Sequence, residues 1–307
     1  MLRRFLISTG SFFLLLLMIF AASRAIVRAL PGDPLETLIA ESGSSIAPEE
    51  LRIQMGLDRP FFEALFSDLR KAAKGDLGVS LLNREPIAPL LAARFVKTLK
   101  LACFAFLLSL TASLILGLFA ASGRTLLARI ADRICTFYGA LSAAMPTPWL
   151  GPILLLVFCV WIPIFPSSNH IVLPALTLAF TTAGFWARLI RQRVRETLAE
   201  GAAPGARARG VPEWKVILKY GLAPASGSMI AYLGTQFGAM LGGAFITEII
   251  FDWRGMGMLF VEAVLKRDYP VVEAATFTTA ALILCGTTLG DLARTLVDPR
   301  SQQERNL

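Results

Sequence analysis

The sequence predicts an all-α integral membrane protein, and three observations support this fold class. The chain has 307 residues, of which 55% are hydrophobic and only 17% are charged. Several windows of about 18 residues or more carry no charged side chain, and a helix of that length crosses the hydrocarbon core of a bilayer. Lys and Arg are concentrated between these windows, as they are in the cytoplasmic loops of membrane proteins.

Six windows are candidate transmembrane helices. They cover approximately residues 5–22, 98–121, 134–161, 173–187, 229–250 and 274–289. The fourth is short and is expected to extend at both ends. The first also resembles a cleavable signal peptide, because two arginines precede its apolar core and small residues follow it. We favour an uncleaved helix, because the apolar core is long and the later spans need a starting orientation.

The distribution of basic residues orients the spans. The segments before the first span, between the second and third, between the fourth and fifth, and after the sixth hold sixteen Lys or Arg residues, more than twice their Asp and Glu residues. Acidic residues outnumber basic ones in residues 23–93 and 251–273. Because cytoplasmic loops are enriched in Lys and Arg, both termini are predicted to be cytoplasmic.

The segment 23–93 is predicted to contain two short helices. "PEELRIQMG" begins with proline and ends at glycine, as helices often do, and "DRPFFEALFSDLRKAAKG" repeats this arrangement. In the second helix Phe62, Leu65, Phe66 and Leu69 fall on one helical face, with charges opposite. This face fits two roles: a docking surface for an external partner, or an amphipathic helix that lies on the membrane or caps the bundle.

Prolines and glycines mark two of the spans. Pro146 and Pro148 predict a kink in the third span, which is either an ordinary proline bend or a gating hinge. Gly234, Gly238 and Gly242 recur every four residues in the fifth span, a spacing that lets two helices approach closely. The spacing does not identify the second helix, which belongs either to this chain or to a partner subunit.

Basic residues cluster at one end of the second span. Arg94, Lys97 and Lys100 recur every three residues, so they share one side of the helix. They either attract an anionic group, such as a peptide carboxylate, to the mouth of a pathway or snorkel to lipid headgroups. No charge lies near the middle of any span. A charge there usually marks an ion or proton path, so this pattern disfavours a free-standing secondary carrier.

The sequence lacks the residue patterns of several enzyme classes. It contains no Gly-x-x-x-x-Gly-Lys-Ser/Thr phosphate loop and no Gly-x-Ser-x-Gly nucleophile motif. Its one histidine, His170, and its four cysteines show no metal-ligand spacing. No catalytic, metal or cofactor site is therefore predicted. The net charge of +8 is attributed to cytoplasmic loops rather than to nucleic-acid binding.

Seven short motifs occur in order along nearly the whole chain. They are "LPGDP" at 30–34, "MGLDRP" at 55–60, "GDLGVS" at 75–80, "LPALTLAF" at 173–180, "EIIFDWRGMG" at 248–257, "KRDYPVV" at 266–272 and "DPR" at 298–300. With these motifs the sequence resembles the dipeptide/oligopeptide/nickel permease family of bacterial ABC importers, specifically its first, B-type permease.

The resemblance implies a type I ABC importer transmembrane domain in a bacterial inner membrane. Two related permeases would pair, two ATPase subunits carrying ATP and Mg would dock on the cytoplasmic side, and a periplasmic or lipid-anchored binding protein would deliver substrate. This chain itself would bind no cofactor and catalyse no reaction. The implied domains are an N-terminal helix (1–29), a periplasmic segment (30–93), the transmembrane domain (94–295) and a cytoplasmic tail (296–307).

The basic loop at about 188–224 resembles the loop that such permeases insert into their ATPases. The family's general form is Glu-Ala-Ala, three residues, Gly, nine residues and Ile-x-Leu-Pro, and peptide permeases carry a version similar to "RTARAKG". A short helix, a glycine turn and a second helix would form a rigid knob that transmits motion between subunits. With the family's glycine aligned on Gly210, the matching positions are Pro204, Gly205, Ala206, Arg207, Ala208, Arg209, Gly210, Tyr220 and Leu222.

The chain departs from the family pattern at several positions. Pro204 and Gly205 replace the usual polar pair, Ala223 stands in place of the motif's proline, and Arg254 replaces a proline that the family usually has. These departures bear on substrate class and ATPase docking, not on architecture. The implied function is half of the pathway of an ATP-driven, binding-protein-dependent importer of di- or oligopeptides. Nickel or another small solute is the alternative substrate within the family.

Overall fold

The structure is a computed structural model that describes residues 2–29, 60–72, 74–166 and 170–297. The predictions for "LPGDP", "PEELRIQMG", "DPR" and most of "MGLDRP" lie outside these residues. The described chain is helical, and its only β pairing is an isolated bridge between Val79 and Pro86. The all-α fold class is therefore confirmed.

The helices follow the apolar windows and extend beyond them. Thr125 begins one helix by accepting a hydrogen bond from the backbone N–H of Ala128, which satisfies one of the free donors at a helix start. The helices are α1 (Leu2–Ala29), α2 (Phe61–Ala72), α3 (Ile87–Ser122), α4 (Leu126–Ala144), α5 (Thr147–Leu155), α6 (Val172–Ala199), α7 (Ala203–Ala208), α8 (Glu213–Val216), α9 (Ala223–Ile250), α10 (Met256–Leu265) and α11 (Tyr269–Val297), with π-helical turns at Leu156–Trp161 and Ile217–Leu222.

Four helices of the described chain have the length and composition to cross a membrane. They lie at Ile87–Ser122, Val172–Ala199, Tyr232–Ile250 and Tyr269–Thr288, and a fifth span is present if the pair α4 and α5 counts as one. The apolar part of α1, Gly10–Ala25, is shorter than these. The predicted count of six and the cytoplasmic termini therefore stay predictions.

The third predicted span is a broken helix rather than a kinked one. Helices α4 and α5 meet at an angle of 102°. Pro146 caps the start of α5 and Pro148 lies in its first turn. Proline has no backbone N–H and its ring displaces the preceding turn, so the ladder ends at Met145, whose N–H still reaches the carbonyl of Leu141. First-turn positions tolerate proline, so a new helix starts there.

The chain forms two compact units. The first comprises Met1–Lys97 and Arg254–Leu284, and the second comprises Thr98–Trp253 and Cys285–Leu307. The predicted domains divide the chain differently and stay a prediction.

In the first unit a buried arginine joins three helices. The side chain of Arg24 in α1 is 7% exposed, and its Nη1 lies 2.5 Å from Asp68 of α2 and 3.2 Å from Glu273 of α11. The predicted apolar face of α2 is divided in its surroundings: Leu65 is buried, as is Ala64, whereas Phe62 and Phe66 are 70% and 66% exposed. The two roles predicted for this face stay predictions.

The second unit is built around α6. Its residues Trp186, Ile190 and Val194 are almost completely buried. Small residues bring the neighbouring helices close, since a Cβ atom at Gly184 would overlap Ser142 of α4 and one at Gly117 of α3 would come within 2.9 Å of Ile190. The last turns of α6 carry the loop that the sequence singles out.

Candidate coupling loop

The loop between α6 and α9 forms a compact knob of residues 203–222. Helix α7 ends in two hydrogen bonds, from the Val211 N–H to the Ala206 carbonyl at 3.1 Å and from the Gly210 N–H to the Arg207 carbonyl at 2.9 Å. This pair of bonds is the Schellman ending, which requires a left-handed residue. Gly210 occupies that position with φ of +75°. The helix–glycine–helix arrangement is thus present, with α8 following the turn.

A bidentate ion pair spans the glycine turn. Arg207 Nη2 lies 2.8 Å from Glu213 Oε1, and Arg207 Nε lies 3.2 Å from Glu213 Oε2. The guanidinium also donates to the carbonyl of Leu198 at 3.4 Å, so it connects both short helices to the end of α6. The hydrogen bonds from Arg207 lower the pKa of Glu213 below its ordinary value. Two parallel hydrogen bonds of this kind fix the relative orientation of the two side chains and also strengthen the interaction between their charges.

Small apolar side chains attach the knob to α6. Ala203, Ala206 and Val216 are completely buried in one cluster with Ile190, Val194 and Leu198 of α6, and Tyr220 and Leu222 are partly buried against it. Thr197 donates a hydrogen bond to the Gly221 carbonyl at 2.8 Å. Burial of alanines allows the backbone of α7 to lie close to α6, so the knob is held as part of the helix end.

The structure separates the predicted loop residues into two groups. Ala206, Arg207, Tyr220 and Leu222 face the interior of the knob or its base. The exposed residues are Pro204, Gly205, Ala208, Arg209 and Gly210.

Two residues of the knob were missed by sequence reasoning. Glu213 pairs with Arg207, and Trp214 is 60% exposed on α8. An acidic residue placed just beyond the glycine turn from an arginine was a visible signal for the pair. A tryptophan in a polar loop was a visible signal for a contact surface.

The base of the knob carries a second ion-pair group. Asp132 of α4 lies 2.5 Å from Arg191 and 3.1 Å from Arg195, both on α6. Arg195 also donates to the carbonyl of Ala120 in α3 at 2.7 Å. These contacts tie the ends of three helices together beneath the knob.

The fifth-span glycines face another helix of the same chain. A Cβ atom at Gly234 would come within 2.6 Å of the Cα of Gly290 in α11, and one at Gly238 within 2.8 Å of the Thr287 backbone. Gly242 is partly buried on the same helix. Crossings this close depend on the absence of side chains. The family resemblance implies that the fifth span lines the translocation pathway, and a pathway role for these glycines stays a prediction.

The basic residues of the second span differ in their surroundings. Arg94 is half-buried, with Nη2 3.4 Å from Glu262, whereas Lys97 and Lys100 are exposed. The charge of Arg94 is thus partly balanced within the chain. Pro146 and Pro148 occupy the break described above. A hinge at these prolines and an outer mouth at the basic residues remain predictions.

Comparison with known proteins identifies the family. Residues 113–303 match the binding-protein-dependent transport system inner membrane component family. The glutathione transport system permease protein GsiC of Escherichia coli strain CFT073 is 35% identical over 253 residues, which cover 81% of this chain and 82% of that protein. The GsiC proteins of Escherichia coli K12 and Shigella boydii serotype 4 are 35% and 34% identical over the same share.

A solved structure shows the same fold. An amino acid ABC transporter crystallised with histidines aligns with a TM-score of 0.50 at 18% identity, covering 67% of this chain and 94% of that one. The sequence relatives identify the family as well as the fold, because about a third of the residues are identical over an alignment that covers most of the chain. The chain therefore belongs to the binding-protein-dependent transport system inner membrane component family and is a permease of an ABC importer of the dipeptide/oligopeptide/nickel type.

Proposed function

We propose that this chain forms half of the translocation pathway of an ATP-driven, binding-protein-dependent importer of di- or oligopeptides. It pairs with a second, homologous permease in a bacterial inner membrane. Two ATPase subunits bind ATP and Mg on the cytoplasmic side, and a periplasmic or lipid-anchored protein delivers the substrate. The chain contributes the path and the contact to the ATPases, not the chemistry.

The observation that carries the proposal is the construction of the knob. Its interior is fastened by the buried alanines and the Arg207–Glu213 pair, while Arg209 and Trp214 point outward. A contact element that transmits domain motion must move as a rigid body, because a loose loop absorbs the displacement. An exposed aromatic and an exposed arginine are also the side chains most enriched at protein interfaces.

The peptide class of the substrate is supported by the relatives. The GsiC proteins are named for the transport of glutathione, a tripeptide derivative. Their 35% identity extends over most of both chains, so similar substrates are the simplest inference. Nickel and other small solutes remain alternatives within the family and belong in the same assay.

The proposal is tested with the assembled complex in liposomes. The chain is co-expressed with the second permease and two ATPases, and uptake of labelled glutathione, a dipeptide and Ni²⁺ is measured with the binding protein outside. The expected result is ATP-dependent uptake of a peptide and no ATPase activity from this chain alone. Uptake by this chain alone would show a free-standing carrier, and uptake of Ni²⁺ in place of peptides would overturn the substrate class.

Variants of the knob test its coupling role in the same liposomes. Gly210→Pro, or charge reversal of Arg207 and Arg209 together, should abolish uptake while the complex still assembles in the membrane and hydrolyses ATP. Lys266→Glu is the matched control, since it reverses an exposed charge at the end of α10 outside the knob. Normal uptake in the knob variants would contradict the coupling role.

A further inference from the structure

An arginine-lined cleft lies in the second unit where α6 and α7 approach the end of α3 and the turn that follows it. It has a volume of about 340 Å³, at the lower end of small-molecule sites. We call it the arginine cleft. Its lining residues are Ala121, Ser122, Gly123, Arg124, Arg195, Leu198, Ala199 and Arg207.

Two of the three guanidinium groups of the cleft are held in place by hydrogen bonds to protein oxygens. Arg195 donates to the Ala120 carbonyl at 2.7 Å, and Arg207 is fixed by Glu213 and the Leu198 carbonyl. Arg124 is more open: its side chain is 59% exposed and its Nη1 lies 3.9 Å from Glu213. A guanidinium has five N–H donors, so each of the three retains donors beyond these bonds.

The charge around the cleft is positive in total. Within the described part of the chain, Arg124, Arg191, Arg195 and Arg207 form ion pairs with two carboxylates, Asp132 and Glu213. Four positive charges against two negative ones leave an excess of two. Arginine binds phosphate oxygens with paired hydrogen bonds, which favours a phosphate as the anion that completes the site.

The position of the cleft indicates where the phosphate comes from. Arg124 lies in the three-residue turn between the ends of α3 and α4, the first an apolar spanning helix and the second half of the broken span. Such a turn lies at the membrane surface. Next to it, Phe119, Leu126 and Leu127 are 62%, 67% and 74% exposed. The site thus combines an anion-binding cleft with an adjacent apolar surface. This combination fits an amphiphile, which has a charged headgroup and apolar chains, better than a free anion.

We propose that the arginine cleft binds the phosphate of an anionic phospholipid, with the acyl chains along Phe119, Leu126 and Leu127. Basic pockets between membrane helices bind anionic headgroups in this way. The bound phosphate contacts Arg207, which also holds the knob, so the lipid stabilises the knob in its observed position. The proposal requires only that the chain is a membrane permease and does not depend on the peptide substrate.

The test is lipid binding by the purified complex, measured by native mass spectrometry and by thermal stability in neutral detergent. The probes are phosphatidylglycerol, phosphatidylcholine and inorganic phosphate. Phosphatidylglycerol should bind and stabilise selectively. Arg124→Gln should weaken that binding about fivefold, as expected for one basic group at a membrane surface. Arg193→Gln is the matched control, because Arg193 is exposed on α6, pairs with Glu196 and does not line the cleft.

Four outcomes would overturn the proposal. Equal binding of phosphatidylcholine would remove the headgroup preference, and equal stabilisation by inorganic phosphate would show a free-anion site. Equal loss in Arg193→Gln would show a diffuse surface charge effect. Cross-linking tests the last competitor: a photoreactive group at Arg124→Cys should label lipid, and labelling of an acidic segment of the ATPase in its place would assign the cleft to that partner.

Discussion

The knob and the loop around Gly78 each contain one carboxylate that bonds across a turn, but the partners of the two carboxylates differ in charge. We call residues 74–86 the Gly78 loop. In the knob, the partly exposed Glu213 pairs with a full positive charge on Arg207. In the Gly78 loop, the donors that the buried Asp268 accepts from among the described residues are neutral: the Ser80 hydroxyl at 2.5 Å and the Leu81 N–H at 3.1 Å.

The two contacts have different roles. The Arg207–Glu213 pair sets the shape of an exposed surface, whereas the hydrogen bonds to Asp268 hold the Gly78 loop in place. A partly exposed ion pair contributes little to stability, because water and salt screen it. It still fixes where the exposed face of the knob points. A buried carboxylate with neutral donors contributes more, because its loss leaves those donors unsatisfied. The hydrogen bond between Ser80 and Asp268 joins the motifs "GDLGVS" and "KRDYPVV" directly.

The largest expected effect is on Asp268. Asp268→Ala leaves the buried Ser80 hydroxyl and Leu81 N–H without a partner, so the free energy of unfolding should fall by about 3 kcal/mol. The fall is measured by equilibrium unfolding in mixed micelles, and the rate of proteolysis within the Gly78 loop reports its local effect. Asp76→Ala is the control, since Asp76 accepts one exposed hydrogen bond from Gly78. Equal effects of the two variants would refute the importance of burial.

The next largest effects are expected from alanine substitutions at two glycines, one in each turn, which have similar backbone conformations and can be compared directly. Gly78 and Gly210 have φ of +82° and +75°, and no atom lies within 4 Å of an added Cβ in either case. Alanine at each should therefore cost a similar backbone strain, about 1 kcal/mol. Only Gly210→Ala should reduce uptake per ATP hydrolysed by the reconstituted complex. A similar loss in Gly78→Ala would indicate that general destabilisation, not knob geometry, controls coupling.

A smaller effect is expected for the ion pair itself. A double-mutant cycle with Arg207→Gln and Glu213→Gln should give a coupling energy of about 0.5–1 kcal/mol, the range for partly exposed pairs. The same cycle on Arg193 and Glu196, whose side chains are both nearly half exposed, should give about 0.3 kcal/mol. A knob coupling of several kcal/mol would contradict the contrast drawn with Asp268.

The smallest expected effect is a pH dependence of the knob. The hydrogen bonds from Arg207 place the folded-state pKa of Glu213 below its ordinary value of 4.5. The stabilisation is therefore complete above that value and is lost as the pH falls through the lowered pKa. Hydrogen exchange in residues 203–222 should accelerate in that acidic range. The acceleration should be absent in Glu213→Gln, and its persistence there would assign it to another group.

Local patterns predicted much of the fold. Hydropathy windows located α3, α6, α9 and α11, because crossing a membrane requires a continuous apolar run that is visible in any single stretch of sequence. The glycine turn at Gly210 was predicted from the family resemblance, and its φ of +75° agrees with a residue type that adopts left-handed backbone without strain. The sequence placed Phe62 and Leu65 on one face of α2 but did not show that Leu65 is buried while Phe62 is exposed. Burial depends on segments far away in the sequence, such as α1, whose Arg24 pairs with Asp68 of α2.

The third span is a second case in which the sequence predicted a feature but not its geometry. Pro146 and Pro148 signalled an interruption, but the sequence does not contain the 102° angle, which depends on how α4 and α5 each pack. Likewise the glycine spacing in α9 predicted a close helix contact but not that Gly234 and Gly238 face α11.

The sequence by itself determined that the chain is a membrane protein and where its long apolar helices lie, because hydropathy and charge bias act over a few neighbouring residues; the family resemblance then located the loop that carries the knob. Only the tertiary structure decided which side chains of that loop face inward, that Arg207 pairs with Glu213, and that three arginines share one cleft. Those arrangements depend on through-space contacts between segments, and the order of residues along a chain does not specify them locally.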